Sequence, residues 1–175
     1  MKVASASTEA PLEMLAACHG RIEQQCATLL RLLPHAQQHG ADPQARQAAA
    51  AVMRYSDTAA VHHHADEEVD LFPALCESMA GSDATCIQAL VASLSADHRA
   101  LEAHWQRLRA QLTRLVEGDA SALSDETTTG FVWAYRRHIE REDTELLPMA
   151  TRLIGDEALR HVGAAMRERR GIAPV

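Results

Sequence analysis

Two stretches of this sequence repeat one another, and together they decide its fold. Residues 63–73 read HHADEEVDLFP, and residues 138–148, which follow 75 positions later, read HIEREDTELLP. In each stretch a histidine is followed by a glutamate four positions later, a leucine eight later and a proline ten later. The aligned residues are His63, Glu67, Leu71 and Pro73 in the first stretch, and His138, Glu142, Leu146 and Pro148 in the second. Because residues four apart share one face of an α-helix, each stretch predicts a helix with an imidazole and a carboxylate on one stripe.

The leucine on each stripe indicates that the imidazole and the carboxylate face an apolar interior. Burying these groups is costly unless they are neutralised or bound, and a metal ion removes that cost. A single HxxxE pair is weak evidence because such pairs occur by chance on solvated faces, but a repeated pair with a shared leucine and proline favours a metal site. A register shifted by one residue would select His64 and Glu68 instead, and the match at Pro73 argues against it.

Two further segments place a histidine among leucines at helical spacing. His19 lies on a stripe with Leu15, and His98 lies on a stripe with Leu94 and Leu101. Four helices therefore each offer one inward histidine, and facing helices of a bundle supply metal ligands in this way. The remaining histidines are expected beside the site or in solvent, at His62 and His64, or on the surface, at His35, His39, His104 and His161.

The composition favours an all-α fold. Apolar residues make up 47% of the chain and aromatic residues only 3%, and a sequence rich in alanine and leucine favours helix over sheet. Prolines, glycines and capping residues predict four helices of roughly 30 residues, which pack antiparallel as an up-down-up-down four-helix bundle. A short fifth helix follows at the C-terminus, and residues 1–175 form one domain with a loosely held segment at about 1–10.

The predicted helix bounds follow from this punctuation. Helix A runs from about Leu12 to the region of residues 34–40, and Pro34 inside its apolar pattern predicts a kink or a stop near Leu33. Helix B is capped by Asp42 with Pro43 at its first position. Helix B ends at about Met79, and helix C runs from a cap at Ser82 or Asp83 to about Glu117. Helix D runs from Ser124 to about Leu153, and helix E runs from Asp156 to about Gly171.

Charge and hydropathy exclude two classes of protein. The net charge of −7 is spread along the chain, and no basic face of the kind that binds nucleic acid is present. Arg167, Arg169 and Arg170 are expected to complement the dipole at the end of the last helix. No apolar run reaches the roughly 20 residues that span a bilayer, and no secretory signal is seen, so we predict no membrane association. Four cysteines without a CxxC pair predict free thiols in a cytoplasmic protein, with Cys18 and Cys26 packed in the core.

The ligand spacing resembles that of hemerythrin-like domains with the HHE cation-binding signature. The resemblance includes the tripeptides LFP (71–73) and LLP (146–148) and the closing MRERRG (166–171), and it covers residues 12–171. It implies a bundle that holds two iron ions, bridged by two carboxylates and an oxo or hydroxo group. The metal ligands that the spacing and the resemblance indicate are His19, His63, Glu67, His98, His138 and Glu142.

The sequence also departs from parts of that family. Oxygen-carrying hemerythrins have HxxxH on the third helix and HxxxxD on the fourth, whereas here Glu102 follows His98 and both Glu142 and Asp143 are available. Two ferrous ions carry four positive charges against two negative charges from the paired glutamates, so Glu102, Glu23 and Asp143 are candidate additional ligands. Four histidines and two glutamates are closer to the set of the iron–sulfur repair proteins, which carry an N-terminal cysteine-bearing domain that is not found in this sequence.

Histidine and carboxylate ligands suit iron, with manganese and zinc as the alternatives. The leading prediction is a di-iron protein that binds or senses a small diatomic molecule or peroxide (O2, NO or H2O2), or that handles iron. A redox enzyme that reduces peroxide or NO is an alternative, with Tyr135 and Tyr55 as candidate proton donors whose other role is core packing. Iron donation for iron–sulfur repair and a helical bundle with structural histidines are further interpretations, and the sequence is compatible with a homodimer.

Overall fold

The structure is a computed structural model, and it describes residues 10–78 and 84–172. Within these ranges it contains helices and no strand, so the all-α prediction is confirmed. The five helices are α1 (Pro11–His39), α2 (residues 43–77), α3 (Ala84–Glu117), α4 (residues 125–153) and α5 (Asp156–Arg169), and a 3₁₀ turn at Ala120–Ala122 precedes α4. The helix end predicted at Met79, the cap predicted at Ser82 or Asp83 and the loose segment predicted at the N-terminus fall outside the described residues.

The predicted starts of α2 and α4 are confirmed by their capping hydrogen bonds. The carboxylate of Asp42 accepts a hydrogen bond of 2.7 Å from the amide of Ala45, and Pro43 occupies the first helical position. The hydroxyl of Ser124 accepts one of 3.2 Å from the amide of Thr127. Both caps satisfy an amide that the first turn of a helix leaves without an intrahelical partner.

Helix α1 ends in the predicted region of residues 34–40. The alternative of a stop near Leu33 is wrong, because the helix continues through the proline to His39. A proline inside a helix removes one hydrogen bond to the carbonyl four residues earlier, but the buried Leu33 and Ala36 anchor the last turns to the core. The helix ends where Gly40 adopts a left-handed φ of 73°, from which its amide donates to the carbonyl of Ala36 at 2.9 Å.

Helices α2 and α4 contain π-helical turns, in which backbone hydrogen bonds reach five residues back instead of four. The α-helical segments of α2 are Pro43–Tyr55, Val61–Ala65 and Phe72–Glu77, and its π turns are Ser56–Ala60 and Asp66–Leu71. The α-helical segments of α4 are Asp125–Arg141 and Leu147–Leu153, and its π turn is Glu142–Leu146. The second π turn of α2 and the π turn of α4 thus occupy matching places in the two repeated stretches.

The matching π turns have the same cause. Each is closed by the residue before a proline, whose amide donates to the carbonyl of a repeated glutamate: Phe72 to Glu67, and Leu147 to Glu142. In a regular α-helix the proline ring clashes with the carbonyl four residues earlier, and the proline has no amide hydrogen to donate. A wider turn just before the proline relieves this clash.

The π turns also keep successive i+4 positions on one face. In a regular α-helix four residues turn through about 400°, so an i, i+4 series drifts by roughly 40° at each step. Eight residues at this spacing are nevertheless at most 1% exposed. They are His63, Glu67, Leu71 and Leu75 in α2, and His138, Glu142, Leu146 and Ala150 in α4. The wider turn offsets the drift, so polar and apolar members of each stripe face the same interior.

The four long helices contact one another in a ring. Helix α1 packs on α2 and α4, and α3 also packs on α2 and α4. Helix α5 packs on α1 and on the second π turn of α2. In the ranges that the structure describes, none of the helices is long and apolar enough to cross a membrane.

The buried apolar side chains form two clusters with a polar layer between them. One cluster includes Ile22 and Leu101, and the other includes Leu15 and Leu94. Between these positions, α1 and α3 carry the predicted histidine ligands, and α2 and α4 carry the repeated His–Glu pairs at the same level. The fold therefore places the candidate site in the middle of the core.

Candidate metal centre

The six side chains predicted as ligands come together in the polar layer. They come from four different helices, and each is at most 5% exposed. Helix α1 supplies His19 and α3 supplies His98, while the repeated stripes of α2 and α4 supply His63, Glu67, His138 and Glu142.

The first histidine pair is formed by α1 and α2. His19 Nε2 lies 3.2 Å from Glu142 Oε2, and His63 Nε2 lies 3.4 Å from Glu67 Oε1. One ligand atom from each of these four residues lies within 4.8 Å of the others. Ligand atoms about 2.1 Å from one cation stand roughly 3.0–3.4 Å apart in octahedral or tetrahedral geometry, and these two distances fall in that range, while His19 Nε2 to Glu67 Oε1 is longer at 3.9 Å.

The second histidine pair is formed by α3 and α4 and uses the other oxygen of each glutamate. His98 Nε2 lies 3.4 Å from Glu67 Oε2, and His138 Nε2 lies 3.0 Å from Glu142 Oε1. These four residues form a second group with the same 4.8 Å limit. Both carboxylates thus direct one oxygen toward each histidine pair, an arrangement in which two cations can share two carboxylates.

The hydrogen bonding of the cluster tests whether a metal fits. The four histidine Nε2 atoms and all four glutamate carboxylate oxygens are buried, and none has a hydrogen-bond partner among the described residues. Buried polar side-chain atoms are paired in the large majority of cases, so eight orphaned atoms aimed at one space are a strong exception. Imidazole nitrogens and carboxylate oxygens are the donors that a divalent transition metal takes. The residues present therefore fit a metal.

Without a cation, the imidazoles and carboxylates shift one another's pKa values. Burial alone would lower the pKa of His19, but Glu142 and Glu67 outweigh it and raise that pKa to about 11. The same carboxylates outweigh burial at His98 and raise its pKa to about 10. Burial and Glu142 would raise the pKa of Glu67, but the surrounding imidazoles lower it to about 2. A metal that binds here therefore displaces protons from the histidines.

Two of the histidines are oriented by carboxylates on their outer nitrogen. His19 Nδ1 lies 2.7 Å from Asp143 Oδ1, and His98 Nδ1 lies 2.8 Å from Glu68 Oε1. A carboxylate in this position fixes the tautomer and the ring orientation of a metal-binding histidine. Asp143, which the sequence offered as a candidate ligand, is thus placed behind His19 and contacts its outer nitrogen.

The other two histidines have different outer neighbours. His138 Nδ1 lies 3.8 Å from Asp97 Oδ2, which also pairs with Arg141 at 2.7 Å. Neither His138 Nδ1 nor His63 Nδ1 has a hydrogen-bond partner among the described residues. The thiol of Cys18, which neighbours His63, is buried, which would raise its pKa, but His63 and the guanidinium of Arg21 lower it. Carboxylates therefore orient two of the four imidazoles by a hydrogen bond, and the described residues offer none to the outer nitrogens of the other two.

The structure does not bring the other two candidate ligands to the cluster. Glu23 and Glu102 are both exposed, and the carboxylate of Glu102 accepts a hydrogen bond from Gln106 on its own helix. Each stands four residues after its histidine, but in α1 and α3 the inward stripe continues through the residue three after the histidine, the buried Ile22 and Leu101, so the glutamates turn outward.

A histidine and a tyrosine that the sequence left undecided lie against the second pair. The ring of His64 stacks on that of His98, with centroids 4.1 Å apart and planes at 15°. The hydroxyl of Tyr135 lies 2.9 Å from His64 Nε2. Burial lowers the pKa of His64 to about 3 and raises that of Tyr135 well above its ordinary value, so both are neutral and the tyrosine donates. Tyr55 is half-buried and packs against the apolar core.

The remaining histidines are His62, predicted beside the site or in solvent, and four histidines predicted on the surface. His39 and His161 are exposed, while His62 and His104 are half-buried. His35 pairs with Asp42, the cap of α2, at 3.1 Å, so it supports a helix start.

The C-terminal arginines have a role that the helix-dipole prediction missed. Arg170 Nη2 donates to Asp66 Oδ2 at 2.6 Å, Arg169 also donates to Asp66, and Arg169 Nη2 donates to Asp70 at 2.7 Å. Asp66 is fully buried and directly precedes a repeated glutamate. The sequence signals were the two adjacent arginines and an aspartate directly before the repeated Glu67.

Comparison with known proteins agrees with this arrangement. The family model for the hemerythrin HHE cation-binding domain matches residues 10–150, a range that contains all six converging side chains. The chain is also similar to an uncharacterized protein of Haemophilus influenzae (strain ATCC 51907 / DSM 11121 / KW20 / Rd), with 29% identity over 162 residues that cover 93% of this chain and 91% of that protein. The match of sequence over this range, together with one buried layer of histidines and glutamates, shows that the chain belongs to the hemerythrin HHE cation-binding domain family.

Proposed function

We propose that the four long helices form an up-down-up-down bundle around a di-iron centre that binds a small ligand, O2, NO or peroxide. One observation carries the proposal: each of the two buried glutamates offers one oxygen to each of two histidine pairs. The proposed ligands are His19 and His63 for one ion, His98 and His138 for the other, and Glu67 and Glu142 for both.

The number of protein ligands supports ligand binding. Each ion would receive two imidazole nitrogens and two carboxylate oxygens, which leaves coordination positions open for a small molecule. Iron, when bound, supplies a redox-active ion whose open positions take oxygen, nitric oxide or peroxide. Imidazole and carboxylate are also ligands of manganese and zinc. Of these metals, iron suits both this donor set and the proposed small molecules, O2, NO and peroxide.

The charges around the centre support a pair of divalent ions. The two glutamates neutralise two of the four positive charges that two ferrous ions carry. Asp143 and Glu68 lie behind His19 and His98 and add two negative charges at short range. Asp143 and Glu68 therefore supply the additional negative charge that was expected from Glu23 and Glu102, and they do so from behind the histidines. The free cysteines support a reducing compartment, and we propose the cytoplasm.

Anaerobic reconstitution with ferrous iron, followed by exposure to air, tests the proposal. We expect two iron ions per chain by elemental analysis and a charge-transfer band in the near ultraviolet after oxidation. Glu67→Gln should lower the iron content and abolish the band, whereas the same change at the exposed Glu23, E23Q, should leave both unchanged. One ion per chain or none, or a protein without the band after oxidation, would contradict the di-iron assignment.

A further inference from the structure

We propose that a small pocket beside His64 is the route by which the ligand reaches the His98–His138 side of the centre. This inference rests on the proposed function, and it adds the direction of approach and the size of molecule admitted. It is carried by the lining of the pocket, its size and its contact with the cluster.

The pocket opens between α2, α3 and α4. Its mouth lies at Val61, which is 52% exposed, and at the exposed Glu102. Its walls are mainly apolar and include Leu101 and Phe131, and the first π turn of α2 contributes Ala60. A passage with apolar walls and an acidic mouth favours uncharged molecules over anions.

The inner end of the pocket is formed by His64 and Tyr135. The His64 ring stacks on His98 and lies edge-on to His138, with centroids 6.0 Å apart in the second case. One ring nitrogen of His64 lies within 4.8 Å of a nitrogen of both other histidines. A single imidazole ring therefore separates the pocket from the second histidine pair.

The size of the pocket limits what can use it. Its volume is about 20 Å³, and roughly 10–15 Å³ on this scale is enough for one water molecule. A diatomic molecule or hydrogen peroxide fits this space, whereas an organic substrate does not. The His64 ring lies between the pocket and the second histidine pair and accepts the hydrogen bond of Tyr135, so a ligand would pass if this bond broke and the ring rotated.

Filling the pocket tests the route. Ala60→Leu places a larger side chain in the pocket, and the matched control is Ala59→Leu, because Ala59 is the preceding residue of the same π turn and does not line the pocket. We expect stopped-flow NO binding to the di-ferrous protein to be roughly tenfold slower for Ala60→Leu than for the control, which corresponds to about 1.4 kcal/mol on the barrier. Release should slow by the same factor, so that the Kd is unchanged.

A second variant removes the inner wall. His64→Ala should accelerate NO binding and release together, with the Kd and the absorption spectrum of the resting centre unchanged. A changed resting spectrum would overturn the inference, because His64 would then be a metal ligand. Equal NO rates in Ala60→Leu and Ala59→Leu would also overturn it.

Crystals of the metal-loaded protein under xenon give a readout that does not depend on ligand chemistry. We expect a xenon atom between Leu101 and Phe131 in the Ala59→Leu protein and none there in Ala60→Leu. Failure of the unaltered protein to bind NO would contradict the proposed function, whereas an absence of xenon from this pocket would contradict the route alone.

Discussion

At the scale of single residues, each repeated glutamate is followed by a carboxylate that serves the opposite half of the centre. Glu68 follows Glu67 on α2 and contacts His98 on α3, while Asp143 follows Glu142 on α4 and contacts a histidine of α1. Adjacent residues on a helix point about 100° apart. One carboxylate can therefore face the metal positions while its neighbour reaches around to the back of a histidine on the next helix.

Asp143→Asn tests the role of these outer carboxylates. The amide can still accept a hydrogen bond from His19 Nδ1, but it no longer supplies negative charge, so we expect iron affinity to fall roughly 10- to 100-fold. The measurement is competition with a chelator of known affinity. Asp125→Asn is the matched control at the exposed start of the same helix, and an equal loss in both variants would show that the effect is not specific to His19.

The pKa shifts predict opposite pH behaviour for the metal-free and metal-loaded protein. The raised pKa values of His19 and His98 stabilise the metal-free fold fully below pH 6.5, and this contribution is lost as pH rises toward about 10–11. The lowered pKa of Glu67 stabilises it above pH 4.5 and is lost as pH falls toward about 2. Bound metal competes with the histidine protons, so its stabilising effect grows with pH.

Thermal unfolding of both forms from pH 5 to 9 checks this prediction. The metal-free Tm should be highest between about pH 4.5 and 6.5, the window set by the ordinary glutamate and histidine pKa values. The difference in Tm between the two forms should widen toward pH 9. A metal-free Tm that rises steadily above pH 7 would contradict the assignment of charged, paired histidines in that form.

At the scale of the helices, the π turns connect a local sequence feature to the shape of the site. The proline after each stripe favours a wide turn, and the wide turn keeps the glutamate in line with the histidine before it and the leucine after it. The proline shared by the two stretches therefore helps to predict the site, because it sets the direction of the glutamate carboxylate six residues earlier.

Pro148→Ala tests this connection. The restored amide can bond the carbonyl four residues earlier, which favours a regular α-helix and turns Glu142 away from its present direction. We expect weaker iron binding and a lower iron content per chain, measured by elemental analysis after reconstitution. Pro43→Ala is the control, because a proline in the first turn replaces an amide that has no intrahelical partner; iron content there should be unchanged.

The six converging side chains could be predicted from the sequence because they follow helical periodicity. His63 and Glu67 share a stripe with apolar residues, and the second copy confirms the spacing. The ion pair between Asp66 and Arg170 could not be predicted in this way, because its partners are 104 positions apart and no periodic pattern links them. Whether α1 stops near Leu33 was left open for a related reason, since tertiary packing decides whether a helix tolerates the loss of one hydrogen bond at Pro34.

At the scale of the whole molecule, α5 is joined to the metal layer through a buried charge. Asp66 has no exposed surface, and it is bound by Arg169, the last residue of α5, and by Arg170, which caps that helix. Removing the partners of a buried charge costs about 3–5 kcal/mol. The end of the chain therefore stabilises the turn that carries Glu67.

The double variant Arg169→Gln/Arg170→Gln should lower the free energy of unfolding by about 3–5 kcal/mol. Adding Asp66→Asn should recover most of that loss, because it removes the unpaired charge. Chemical denaturation of the metal-loaded proteins measures both effects. If the third substitution recovers nothing, the arginines stabilise the protein through contacts other than the one with Asp66.

The crosswise contacts of Glu68 and Asp143 have a consequence for how this centre can be divided. The hairpin of α1 and α2 contains two histidines and one glutamate but lacks the carboxylate that orients His19, and the hairpin of α3 and α4 has the complementary deficit at His98. Neither hairpin alone therefore contains all the side chains of the centre. An isolated hairpin would form both metal positions only by pairing with a second hairpin, related to it by a twofold axis that passes between those positions.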